Sequence, residues 1–178
     1  MYWLLLALAC DASLNDLPDA KRRKLDVDRS EVCDKALAAS NEYFYSGFYL
    51  PRSDGLIHRI INLLDIPDNE GTITLADDPH WTPHVAELTL ARDKHYVLFD
   101  KCVSLYRLDA PDAAIDTALA SIYAERSAVT AAYERFLTTP LTSENRLQLH
   151  RLVVGDHSYQ GAMISELHAL LALKNYFE

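Results

Sequence analysis

An all-α fold, an up-and-down four-helix bundle with one additional short helix, is what this chain predicts. Three observations carry the expectation. Only 5 glycines and 7 prolines punctuate 178 residues, so long uninterrupted helices are favoured. Apolar residues recur at helical spacing from Ile115 to Phe136 and again from Leu149 to Leu171. The breaks between the last three long segments, at Asp109-Ala110-Pro111 and Thr138-Thr139-Pro140, are about five residues each, short enough to make consecutive helices antiparallel neighbours.

Residues 2–10, Tyr-Trp-Leu-Leu-Leu-Ala-Leu-Ala-Cys, form an apolar run that falls short of the roughly 20 residues a membrane-spanning helix needs. It has the character of a secretory signal core, with Ala7 and Ala9 as small residues before a cut, but no basic residue precedes it. A buried N-terminal segment is the competing reading. A lipoprotein signal ending at Cys10 fits less well, because Ala7 stands where such a signal prefers Leu. Residues 11–27 read as a polar linker containing the basic cluster Lys21-Arg22-Arg23-Lys24. That cluster suits a solvated linker, a processing site or a nuclear-import patch. The chain therefore divides into 1–27, a signal-like run with its linker, and 28–178, a helical domain. Secretion and a nuclear or cytoplasmic location stay open.

The first helix is expected from Asp28, with Glu31 three residues on as in a capping box, to about Phe48. Val32, Ala36, Ala39, Tyr43 and Phe44 share one face. Pro51 and Gly55 bracket a turn, and Leu56 to Leu64 is a short apolar segment closed by Pro67. Thr72 to Leu75 reads as extended or irregular, with a turn at Asp77-Asp78-Pro79. Thr82 before Pro83 predicts an N-cap and first helical residue, opening a helix to about Tyr106 with Val85, Leu88, Leu98, Cys102 and Tyr106 on one stripe. Pro111 near the first turn starts the next helix, which runs to about Leu137. Thr142 or Ser143 caps a last helix reaching about Lys174.

A net charge of −9 argues against an extended nucleic-acid surface, which needs clustered Lys and Arg. The 3 cysteines, Cys10, Cys33 and Cys102, show no CxxC and no zinc-type spacing. Cys33 and Cys102 either bridge in an oxidising compartment or stay as buried thiols.

Polar residues on the apolar stripes are the candidates for chemistry, because an inward carboxylate must be paired, protonated or bound to a cation. Glu125 lies three residues after Ile122 and four before Val129. It reads as a metal-ligating carboxylate or as a flanking Glu paired with an Arg. Asp156, His157 and Gln160 fall on the last helix beside Gly155, where they offer ligands to the interior or mark a polar kink. His95, with Asp93 and Glu87 nearby, is expected as a hydrogen-bonded core residue rather than a ligand. No Glu-x-x-His pair is present, so the di-iron bundle signature is missing. Tyr43, Tyr45 and Tyr49 cluster at the end of the first helix and suit a half-buried partner surface or a core.

Ala39-Ser40-Asn41-Glu42-Tyr43-Phe44-Tyr45, followed by Phe48-Tyr49-Leu50 and Arg52, is similar to the first helix and following turn of ferritin subunits, especially degenerate secreted arthropod-type ones. His58, Leu63-Leu64 and Gly71 to Leu75 resemble the end of the ferritin second helix and its glycine turn. Ala118-Leu119 with Glu125-Arg126, and Tyr159-Gln160 with Glu166-Leu167, resemble parts of the third and fourth. The resemblance implies that Tyr43, His58, Glu125 and Gln160 match ferroxidase-centre positions. Ala36 and Gly55 stand where that centre has Glu, and the segment from Pro83 to Tyr106 has no counterpart. The implied function is an iron-binding or storage subunit with a degraded ferroxidase centre, self-associating into shells. The alternative is a non-enzymatic helical interaction module, secreted or viral, that binds a protein partner. A smaller third possibility is an enzyme assembled from Glu125, Asp156 and His157.

Overall fold

The computed structural model describes residues 19–47, 49–50, 53–55, 57, 59, 62, 74–109, 112–140, 142, 144, 146–153 and 158–178. The all-α expectation holds. Helix α1 spans Asp19–Gly47, α2 Thr82–Tyr106, α3 Ala113–Thr138, α4 Arg146–Val153 and α5 Tyr159–Phe177. A minimal antiparallel pair, β1 (Tyr49–Leu50) and β2 (Ser53–Asp54), joins Tyr49 to Asp54 and Leu50 to Ser53. No described helix is long and apolar enough to cross a membrane. The signal-like run 2–10 with Cys10, most of the apolar segment 56–64, Thr72 and Pro111 lie outside the described residues.

Helix α1 is already under way at Asp19, ahead of the expected Asp28 cap. The run Asp19-Ala20-Lys21-Arg22-Arg23-Lys24-Leu25 contains no helix breaker and several strong helix formers, so the basic cluster continues the helix instead of linking to it. Gly47 closes α1 against the core. A Cβ added there would lie 3.3 Å from Ile57 Cδ1 and 3.5 Å from Leu88 Cδ1, so the end of α1 approaches its neighbours closely because no side chain intervenes.

Thr82 is a helical residue and not the cap of α2; the position before it is Trp81, which makes no side-chain cap bond. The Thr82 hydroxyl instead donates back to the carbonyls of Asp78 (2.8 Å) and Ala76 (3.1 Å), tying the helix to the turn before it. That turn begins at Thr74, whose carbonyl accepts from the N–H of Asp77 and Asp78, so of the extended and irregular readings the irregular one holds at Leu75. Ala76 N–H donates to the carbonyl of Leu137 at 3.1 Å. This fills one of the acceptors left open at the end of α3.

Helix α3 starts at Ala113 because Asp112 caps it, accepting from the N–H of Ala114 (2.9 Å) and Ile115 (3.1 Å). The Tyr106 hydroxyl closes the turn between α2 and α3: it donates to the Asp112 carbonyl (3.0 Å) and accepts from the Asp112 N–H (2.7 Å).

The last predicted helix is two. Helix α4 begins at Arg146, beyond Thr142, and α5 restarts at Ser158, an extended residue whose hydroxyl accepts from Gly161 N–H at 3.3 Å. The apolar spacing runs through both pieces, but a good N-cap with φ −93° and ψ 177° interrupts the backbone.

Residue pairs give the packing. Helices α1 and α2 run in opposite directions, since Arg29 meets Asp109, Cys33 meets Cys102 and Tyr43 stacks on His95. Helix α5 opposes α1, with Lys174 on Asp34 and the Arg29 guanidinium over Phe177. It runs alongside α2, where His95 meets Glu166 and Tyr106 meets Tyr176. Helix α3 opposes α2 through Arg92 over Tyr133 and Arg126 on Asp100, and it packs on α5. Of the two open cysteine readings the disulfide is the one found: Cys33 and Cys102 are bonded, fully buried, with Cα atoms 5.5 Å apart.

Among the described residues two apolar clusters fill the interior. One surrounds the disulfide with Phe99, Val103, Tyr106, Leu119, Leu170 and Leu173. The other gathers Tyr43, Ile57, Trp81, Leu88, Tyr133, Phe136 and Val153, roofed by α4 and the turn before α2.

Candidate functional site: a polar network at the waist of the bundle

Between the two clusters lies a chain of polar side chains. His95 on α2 is 1% exposed and Glu166 on α5 is 3% exposed. His95 Nε2 and Glu166 Oε2 are 2.6 Å apart. Arg126 on α3 donates from Nε to Glu166 Oε1 (3.2 Å) and from Nη1 to Asp100 Oδ1 (2.8 Å). Asp100 Oδ1 also accepts from the Tyr123 hydroxyl at 2.8 Å. A carboxylate facing Arg126 acts as an acceptor, so Nε2 is the protonated nitrogen of His95. Its Nδ1 has no hydrogen-bond partner among the described residues.

Aromatic rings hold these groups. Tyr43 stacks on His95 with centroids 5.6 Å apart, and Phe99 meets the same ring edge-on. The Arg126 guanidinium lies 4.3 Å from the Tyr96 centroid, 4.9 Å from Tyr123 and 5.0 Å from Phe99. Cations over aromatic faces gain from the ring quadrupole, more so when partly dehydrated. Burial opposes the Arg126 charge, yet the hydrogen bonds and charges of Asp100 and Glu166 hold its guanidinium above its ordinary range. Burial, helped by Asp100 as hydrogen-bond partner and neighbouring charge, pushes the Tyr123 phenol up to about 12. Burial and the Glu166 charge raise Tyr96 as well.

The sequence-predicted site residues are only partly brought together. Tyr43 is buried and belongs to this network through His95. Glu125 is half-buried on α3, beside Arg126, and lines a cavity of about 20 Å³ with Glu166, Ser165 and Tyr96. Gln160, half-buried in the first turn of α5, is not among the described residues lining that cavity. His58, Asp156 and His157 lie outside the described residues. His95 is the hydrogen-bonded core histidine that its position on the stripe predicts, whereas Asp93 and Glu87 are exposed. No group of three or more His, Cys, Asp or Glu arranged to hold a metal ion occurs among the described residues.

Glu166 and Arg126 are the members that the sequence reading missed as a pair. The signal was available: Ile122, Arg126, Val129 and Tyr133 follow one helical stripe, so an Arg stood at a core position and required an anion across the bundle. What the stripe could not give is which carboxylate answers it.

Outside this waist a groove of about 470 Å³ runs between α3 and α5, floored by Ala114, Ala118 and Ile122 on one side and by Ser165, Ala169 and Ala172 on the other. No family model, no curated protein and no solved structure matches the chain.

Proposed function

We propose that this chain is a helical-bundle interaction module that binds a protein partner rather than transforming a substrate. The observation that carries the reading is the outer face of α2. Leu90 is 71% exposed and Val97 69% exposed, seven residues apart and so on one face. They stand opposite the buried line Leu88, Ala91, His95, Phe99 and Cys102 of the same helix. Two aliphatic side chains held outward on a rigid helix, with Asp93 and Lys94 between them, supply an apolar contact with a polar rim. The waist network supports the reading from inside: its charged groups are occupied with one another and act as a scaffold. The Cys33–Cys102 bond and the apolar run at residues 2–10 favour the secretory pathway, since disulfides persist in oxidising compartments.

The test uses the full chain with Leu90→Asp and Val97→Asp together. Chemical cross-linking and sedimentation should show a partner, or a second copy, engaged by the parent and lost from the double variant, with the melting temperature unchanged. Identical association profiles for both proteins would remove the α2 face as the binding surface.

A second reading, an iron-binding subunit of ferritin-like type with a degraded centre, has one support: Glu125 and Glu166 flank the same small cavity. Against it, both Glu166 oxygens already face His95 and Arg126. Iron quantified in the purified chain after ferrous loading tests it; retention that drops with Glu125→Ala would raise this reading above the first.

A further inference from the structure

The turn that leads into α2 is already wound as a helix. The Thr82 N–H donates to the Asp78 carbonyl at 2.9 Å, and the Val85 N–H to the Trp81 carbonyl at 2.9 Å. The Asp78 carboxylate accepts from the His80 N–H at 2.8 Å, and the Thr82 hydroxyl ties back to the carbonyls of Asp78 and Ala76. Pro83 then fixes the backbone at the start of the helix. This winding carries His80 and His84, four residues apart, to the same side of one turn. Imidazoles at i and i+4 are spaced so that one metal ion reaches both from a single helix.

Both histidines are exposed, and their ring centroids lie 6.3 Å apart. Rotation about the side-chain bonds brings a nitrogen of each to one ion, at roughly 2.0–2.1 Å. Among the described residues no hydrogen bond or ion pair occupies a ring nitrogen of either. The rings also have a wall behind them. Trp81, buried in the core, meets His80 edge-on at 4.9 Å and His84 at 6.4 Å. A helix N-terminus by itself disfavours a cation, and the Arg59 guanidinium lies over the Trp81 ring at 5.2 Å. Three carboxylates oppose both effects: Asp77 and Asp78 precede His80 by three and two residues, and Glu87 follows His84 by three.

We infer that His80 and His84 form a surface chelate for a divalent transition-metal ion, with water in the remaining positions. Imidazole suits copper, nickel and zinc, and Cu²⁺ stands highest among them in affinity for nitrogen ligands. Mg²⁺ prefers oxygen ligands and keeps its water. Two protein ligands leave the ion exchangeable, unlike a closed structural centre with four.

Isothermal titration calorimetry of the full chain with CuCl₂, ZnCl₂ and MgCl₂ tests the assignment, alongside His80→Ala and His84→Ala. Both positions are exposed, so the melting temperature should hold; His80→Asn and His84→Asn replace any alanine variant that melts early. The chain has 7 histidines, so the difference between parent and variant isolates this pair. The parent should bind one Cu²⁺ more tightly than Zn²⁺ and take up no Mg²⁺ at the same concentration. Each folded variant should bind that Cu²⁺ at least about tenfold more weakly, since even outer-shell changes cost about 10–100-fold. Electron paramagnetic resonance of the copper-loaded chain should show coupling to two imidazole nitrogens in the parent and to one in each variant. The inference is overturned if the parent binds no Cu²⁺, if Mg²⁺ binds as tightly, or if either folded variant keeps the parent's affinity and spectrum.

Discussion

The two ends of the bundle are secured by different means. Around Cys33 and Cys102 the four long helices meet directly, and the end is fastened three times: by the disulfide, by the Arg29–Asp109 pair at 2.6 Å, and by the Tyr106 hydroxyl on the turn to α3. At the opposite end Tyr43, Trp81, Tyr133 and Phe136 provide large buried rings, but α4 and the turn before α2 complete the cover. Local stability follows the density of buried contacts and ties, so the two halves should open at different cost. A bundle need not be uniformly firm to hold a rigid face such as that of α2, which belongs to both ends.

Removing the disulfide is the strongest way to break this contrast. Closing a loop whose ends are 69 residues apart stabilises by about 4 kcal/mol in the chain-entropy account. Cys33→Ala with Cys102→Ala should lower the melting temperature by roughly 10 °C or more. Hydrogen exchange read along α1 and α2 should then be as fast near Cys102 as near Leu88. If the fast amides stay confined to the Leu88 end, the disulfide is not what separates the halves.

The waist comes next. Glu166→Ala leaves Arg126 and His95 without their shared buried carboxylate, a change that costs about 3 kcal/mol or more when one member of a buried pair is deleted. Urea unfolding should show it. Replacing the set together, Glu166→Leu with Arg126→Met and His95→Phe, should recover most of that loss, because apolar groups of similar volume need no partners. No recovery would mean that the network positions the helices in a way that simple packing cannot replace.

The smallest effect is at high pH and concerns the disulfide half. Tyr123 is raised to about 12 by burial and Asp100. Its folded pKa therefore lies above the value of about 10 for a free phenol, and its contribution is complete below pH 10 and fades as pH rises through 12. Stability should fall with a shallower slope between pH 10 and 12 in Tyr123→Phe than in the parent, as read from urea midpoints at each pH. Equal slopes would place the alkaline sensitivity elsewhere.

Much of the fold was legible from punctuation. Pro83, Pro140 and the run to Tyr106 marked the limits of α2 and α3, and the apolar stripes on both helices face the core. Two boundaries were not legible for opposite reasons. Helix α1 begins early because Asp19 to Leu25 lacks any breaker, and polarity alone does not stop a helix. The α4–α5 break was hidden because apolar spacing continues across it, while the decisive feature, the extended backbone of Ser158, leaves no mark on periodicity. The site was half legible. His95 and Glu125 were visible as polar residues on apolar stripes, but their partners depend on how α3 and α5 are rotated about their axes, a property of the assembled bundle.

The bond between Cys33 and Cys102 also sets the covalent topology of the chain. Everything between those two residues, including the turn at β1 and β2, sits on a closed ring, and α3 to α5 hang from it as an open tail. A protease that nicks the ring once releases nothing: the product migrates as one species until a thiol reagent is added, and only then separates into two pieces. A nick in the tail sheds its fragment as soon as the fold lets go.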